Sequence, residues 1–188
     1  MASELIVQTL KGPTSGANAN KVIIPSGQTL DASAGGVTLP AGVGGKLLQV
    51  VSGSASPGDS SITSNSWTDT SITASITPSS TSSKIVVGFT FQYGMFVSGS
   101  GSSYGGLRML RDSTVIYGSG SDSGNLYTEG AGSGNHQYRI MSNMTYTDAP
   151  STTSQVTYKI QGRLFNGSQL TLHWSAMPFS YTLMEIAG

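Results

Sequence analysis

The sequence predicts an all-β chain: a thin trimeric shaft followed by a β-sandwich knob of the jelly-roll kind. Three observations predict it. Strand-like segments of alternating apolar and polar residues recur between Gly-, Ser- and Pro-rich turns, and no window keeps helical apolar spacing without Gly or β-branched interruption. Thr70 to Phe96 reads as an alternating strand ending at Pro78, a small-polar turn, and one long strand carrying Ile85, Val86, Val87, Phe89, Phe91 and Met95. Residues 13–45 hold apolar pieces of about three residues, too short to form a sheet alone.

In chain order, residues 1–12 form an N-terminal anchor whose apolar side chains are Leu5, Ile6, Val7 and Leu10. Residues 13–45 form the shaft. Val22, Ile23, Ile24, Leu30, Val37 and Leu39 alternate there with Pro-Ser-Gly, Ala-Ser-Ala-Gly-Gly and Pro-Ala-Gly. Ile24-Pro25-Ser26-Gly27 and Leu39-Pro40-Ala41-Gly42 make a weak repeat of about 15 residues, a unit that can cover its apolar side only against identical copies around an axis. The competing reading is a Gly/Ser/Ala linker.

Residues 46–188 form the knob. Lys46 to Val51 is its first strand, residues 52–66 a loop, and Thr70 to Phe96 an antiparallel hairpin with an oversized turn. Residues 97–105 read as a flexible loop. Leu107–Arg111 and Thr114–Gly118 flank Asp112-Ser113 as a second hairpin, and 119–135 is the longest low-complexity loop. Gln137–Tyr146 alternates, with Tyr138, Ile140, Ser142, Met144 and Tyr146 on one side. Gln155–Phe165 and Ser168–Ser175 are predicted to pair across Asn166-Gly167, with Leu170, Leu172 and Trp174 aligned. Met177-Pro178-Phe179 bends the chain into a last strand, Tyr181–Ile186. The count is roughly eight or nine strands, in keeping with a sandwich.

Composition narrows the chemistry. Nine basic and nine acidic residues cancel without a run of like charge, so neither nucleic acid nor an anionic membrane surface is an expected partner. There is no cysteine, which removes disulfides, thiol redox chemistry and thiolate zinc sites. No stretch approaches the roughly 20 apolar residues of a membrane-spanning helix, and MASELIVQTLKG lacks the pattern of a signal peptide. Gly101-Ser102-Ser103-Tyr104-Gly105 matches G-x-S-x-G, but no helix is predicted after it, so an active serine is not expected. The two histidines, His136 and His173, have no second ligand spaced nearby, and Asp122 with Glu129 lack the spacing of a calcium loop. The expectation is no enzyme, no metal and no cofactor. A candidate recognition set remains: Tyr104, Asp122, Asn125, Tyr127 and Phe179 lie in predicted loops or bends. There, rings can stack on sugar faces and polar groups can bond hydroxyls, or the rings can pack over the sandwich ends.

Two groups of segments carry a resemblance. KGPTSGANANKVIIPSGQTLDASAGGVTLPAG, residues 11–42, resembles a leader in small structural proteins of tailed bacteriophages, notably marine and cyanobacterial ones. Trp67-Thr68-Asp69-Thr70, Ile76-Thr77-Pro78-Ser79-Ser80, Ser83-Lys84-Ile85-Val86-Val87 and Thr182-Leu183-Met184-Glu185-Ile186 resemble the distal knobs of phage fibres, which look like trimeric jelly rolls of the C1q and tumour-necrosis-factor type. The resemblance implies a virion structural protein, extracellular after lysis. It implies a homotrimer, joined to other virion proteins through its N-terminus, with a knob that attaches to a host cell-surface glycan. A tail fibre usually begins with a large adaptor, and here about 12 residues precede the leader. A head fibre or capsid decoration protein is therefore the alternative, and a polysaccharide depolymerase a less favoured one.

Overall fold

The computed structural model describes residues 14–16, 47–99, 101–118, 125–129 and 134–188. The chain divides into two units, Met1–Val43 and Gly44–Gly188. In the first, Thr14–Gly16 form an exposed bend. The anchor residues Leu5, Ile6, Val7 and Leu10, the shaft residues Val22, Ile23, Ile24, Leu30, Val37 and Leu39, and Asp122 lie outside the described residues.

The second unit is built of two antiparallel sheets. Its strands are β1 (Leu47–Ala55), β2 (Ser60–Ile62), β3 (Thr68–Ile76), β4 (Lys84–Val97), β5 (Ser102–Arg111), β6 (Thr114–Tyr117), β7 (Leu126–Glu129), β8 (His136–Asp148), β9 (Val156–Asn166), β10 (Gln169–Leu172) and β11 (Phe179–Ile186). In the first sheet β4 is central. β8 runs along one side of it, from Ile85↔Asp148 to Val97↔His136. The other side is shared by β11, which pairs residues 84–90, and β10, which pairs residues 93–96. β1 flanks β11 and β2 flanks β10. The second sheet runs β3-β9-β5, with β6 and β7 sharing the far edge of β5. The pairing is nested: β1 with β11, β3 with β9, β4 with β8, β5 with β6.

The alternation that predicts these strands also places the core. Ile85, Val87, Phe89, Phe91 and Met95 of β4, with Leu183 of β11, are buried against Ile72, Met109, Tyr158 and Ile160 of the second sheet. Each buried aromatic or branched side chain contributes about 1.5–3 kcal/mol through apolar surface removed from water. The sheets are also joined by one buried polar cluster. Tyr158 donates its hydroxyl proton to Asp148 at 2.9 Å, and Arg111 donates to both Asp148 oxygens at 2.8 and 2.9 Å. Burial, then the Asp148 hydrogen bond, push the Tyr158 hydroxyl well above its ordinary pKa.

Several expectations are corrected. Two predicted hairpins are links between sheets. β3 lies in the second sheet and β4 in the first, so residues 77–83 arch across the core. Asn166-Gly167 likewise joins β9 to β10 in the opposite sheet. Gly167 has the left-handed φ of 115° that the dipeptide favours, but both edges of β9 are already taken by β3 and β5. Turn chemistry bends a chain; the free edge available decides the partner. The Asp112-Ser113 hairpin stands, with Arg111 opposite Thr114. Segments expected as loops contain strands: β1 continues to Ala55, β2 lies within 52–66, β5 begins at Ser102, and β7 lies within 119–135. β2 and β7 each set one apolar side chain, Ile62 and Leu126, into the core. The predicted strand Ser168–Ser175 stops at Leu172. His173, Ser175 and Ala176 take positive φ and a single 3-10 turn, Trp174–Ala176, follows, so Trp174 does not line up with Leu170 and Leu172.

Candidate recognition surface

Alternation along β5 and β9 turns one side chain in two away from the core. Ser103, Leu107 and Met109 point inward and are buried, as are Tyr158, Ile160 and Leu164. Tyr104, Gly106 and Arg108 on β5, with Lys159, Gln161, Arg163 and Phe165 on β9, therefore share the outer face of the second sheet. β7 adds Tyr127, which sits opposite Tyr104 and is 63 % exposed, and Glu129 beyond it.

These side chains form a continuous stack. The Tyr104 and Phe165 rings are nearly parallel, 20° apart with centroids at 5.9 Å. The Arg163 guanidinium lies 4.2 Å from the Phe165 centroid and 5.9 Å from that of Trp67. Arg108 covers Trp67 at 4.2 Å. Cation–π contacts of this kind contribute about 0.5–2 kcal/mol each and hold the guanidinium planes flat on the rings. Trp67 lies against Gly106, where a Cβ would come within 2.9 Å of the indole, so the glycine makes room for the ring.

Hydrogen bonds fix the charged ends. Arg108 donates Nε–H to Gln161 at 2.8 Å, and Gln161 donates to Asp69. Lys159 donates to the other Asp69 oxygen at 2.7 Å, and Arg163 donates Nε–H to Asn65 at 3.0 Å. The hydrogen bonds from Lys159 and Gln161 pull the Asp69 carboxyl below its usual range. Burial, then the neighbouring Arg163 charge, push Arg108 down from its usual value. Two guanidinium groups thus share one indole ring despite their mutual repulsion.

Of the predicted recognition residues, Tyr104 and Tyr127 are brought together, on strands rather than in loops. Asn125 is used internally: its side chain accepts from the Leu107 N–H at 2.8 Å and donates to the Leu107 carbonyl at 2.7 Å. Phe179 is only 3 % exposed and packs among His173 and Tyr181, so its ring belongs to the core and the expectation of a surface aromatic is corrected. Trp67, Arg108, Arg163 and Phe165 were missed. Arg163 and Phe165 alternate with the core residue Leu164, a signal present in the sequence; the placement of Trp67 over Gly106 is not.

The outer face of the first sheet differs in kind. Val50, Met184 and Val86 align across β1, β11 and β4, and Leu47 and Ile186 align one row away. Val50 is 51 % exposed, and Leu47 and Leu48 are also exposed. Gly88, Thr90, Ser180, Thr182, Ser52, Ser54, Asn143 and Thr145 continue the face. Among the described residues no charged side chain interrupts it between Val86 and Thr90. An open groove of about 270 Å³ bounded by Thr90, Met141, Met177 and Ser180 lies at its far end.

Ser103 of the G-x-S-x-G match is buried within β5 and donates its hydroxyl proton to the Asn166 carbonyl at 2.9 Å. Among the described residues no group of three His, Cys, Asp or Glu side chains is placed to hold a metal ion. No protein-family profile matches the chain, and no curated protein matches it.

Proposed function

We propose that this chain is a bacteriophage virion structural protein, a trimeric fibre whose knob attaches to a glycan on the host cell surface. The observation that carries the reading is the contrast between the two outer faces. The first is uncharged from Val86 to Thr90 and crossed by an apolar row, a surface that favours cover by another copy. The second presents aromatic rings flanked by fixed polar groups, the combination that grips sugars. Nested strand pairing supports a jelly roll, because a long antiparallel hairpin rolled once gives that order. The phage-fibre resemblance of residues 11–42 and of the strand motifs supports threefold assembly and the virion setting. Avidity then turns weak single-site contacts into firm attachment.

The test is the native mass of the full-length chain together with its retention on a glycan array. A trimer that is retained, and whose retention weakens on Tyr104→Ala with Tyr127→Ala, supports the reading. A full-length monomer overturns the fibre; a trimer that binds no glycan overturns the attachment role.

A further inference from the structure

The aromatic–guanidinium stack also indicates the chemistry of its ligand, on the premise that the second sheet's outer face is the attachment site. A neutral sugar needs rings and hydroxyl partners, and Tyr104, Tyr127 and Phe165 with the nearby amides are sufficient for it. It does not need two guanidinium groups against one indole. Arg108 spends its Nε–H on Gln161, and its other N–H groups have no acceptor among the described residues. An arginine fork left open in this way matches a carboxylate, which can take two parallel N–H bonds. The nearby carboxylate, Asp69, is already engaged by Lys159 and Gln161. Glu129 stands at the opposite end of the stack, on β7 beyond Tyr127, where it repels an anion and so favours one orientation of the ligand.

Size separates the kinds of anion. Tyr104 to Arg108 spans about 13 Å of strand. That length suits a short run of sugar rings and is under half of the roughly 28 Å width of a patch of about 800 Å², the area per side of a stable protein interface. We infer that the second sheet's outer face binds an acidic polysaccharide, with a uronate carboxylate held on the open fork of Arg108, the Arg163 charge adding to the attraction, and the adjoining pyranose rings lying on Phe165, Tyr104 and Tyr127.

The probe is alginate, a polymer of uronate sugars, titrated calorimetrically into the full-length protein, with dextran as the neutral polymer and dextran sulfate as an unrelated polyanion. The inference expects saturable binding to alginate and little to dextran. Arg108→Gln with Arg163→Gln should weaken alginate binding by at least about tenfold, since hydrogen bonds to charged groups are the strong ones. Arg108→Lys, which keeps the charge and removes the fork, should weaken it less. Tyr104→Ala with Tyr127→Ala should weaken it too. Unchanged thermal unfolding in these variants separates lost contact from lost fold; if the Gln pair unfolds early, Arg108→Lys and the Tyr pair carry the test. No binding to alginate overturns the inference, as does binding indifferent to the arginines. Equal binding of dextran sulfate that ignores the tyrosine changes also overturns it, since that is simple ion exchange. If alginate fails while a glycan array retains the protein, the attachment reading survives with a neutral ligand; if both fail, both fall.

Discussion

The two sheets are built by the same rule and finish with opposite outer faces. Both bury every second side chain against a common core. On the first sheet the outward positions from Val86 to Thr90 read Val50, Met184, Val86, Thr182, Gly88 and Thr90, short or apolar and uncharged, with Lys84 one row beyond them. On the second they read Arg108, Gln161, Arg163, Phe165 and Tyr104. The core residues specify that a sandwich forms. They say nothing about what each sheet meets outside, and that is where the faces diverge. A flat face of small side chains lets another backbone approach closely. A face of long, stacked side chains keeps other backbones away and offers donors and rings.

The sharpest way to break the comparison is to put one charge type on each face. Val50→Asp with Met184→Asp places two carboxylates in the apolar row and should convert the proposed trimer to monomers, because a charge buried between copies goes unpaired. Tyr127→Asp on the second sheet should leave the mass unchanged. Sedimentation of the two variants checks this, and a first-face variant that stays assembled would show that self-association uses another surface.

The next largest effect lies where the sheets are tied together. Asp148→Ala leaves the Tyr158 hydroxyl buried without an acceptor and Arg111 without its carboxylate. The expected loss is about 3 kcal/mol in unfolding free energy, read from denaturant midpoints. Because the cluster belongs to neither outer face, assembly and glycan binding should fall together as the fold melts. Loss of one function with the midpoint unchanged would mean that Asp148 serves a face rather than the joint.

A smaller and pH-dependent effect is expected at Glu185, which is fully buried on β11. Its carboxylate accepts from the Ser79 N–H and hydroxyl, each at 2.7 Å, and from the Gln49 amide at 2.6 Å. Burial alone would raise its pKa. The donated hydrogen bonds, with the otherwise unpartnered Ser83 hydroxyl facing the same group, outweigh burial and lower it from 4.5 to about 2. A depressed carboxylate stabilises the fold above its ordinary pKa, so this stability is complete above pH 4.5 and is lost as pH falls toward 2. Glu185→Gln should cost about 1–3 kcal/mol near neutral pH and flatten the stability profile across that window. An unaltered profile would place the acid sensitivity elsewhere.

The sequence revealed the strands far better than their partners. The long apolar run of β4 and the alternation of β9 mark buried faces that survive any topology, so these strands were legible; β8 alternates as well, although of its aligned side chains Met144 is buried and Ile140 is 45 % exposed. The links at 77–83 and 166–168 were misread as hairpins because local turn chemistry carries no information about which sheet edge is vacant. The face proposed for recognition was half legible. Tyr104 and Tyr127 drew notice as aromatics among glycines and proved to be register partners. Trp67 and Arg108 are 41 residues apart and meet only because β3 and β5 flank β9. Phe179 misled for the opposite reason: a proline and a turn before it suggested exposure, while the β11 register carries it into the core.

That same corner carries the smallest prediction. His173 is fully buried at a left-handed backbone position, packs on Phe179 at 5.4 Å, and gives neither ring nitrogen a regular hydrogen bond. Burial lowers its pKa below 6.5, and the Met177 backbone and Asp59 only soften the shift. A histidine kept neutral by the fold must be charged as pH drops, so stability should be complete above about pH 6.5 and should decline below it. His173→Asn, a residue that tolerates positive φ, should remove this decline. The chemical shift of the His173 ring protons followed against pH measures it directly. A ring that titrates at or above the ordinary value would mean that the 173–176 corner opens to water in solution. The groove beside Met177 at the end of the first face would then be a mobile margin rather than part of the flat surface offered to another copy.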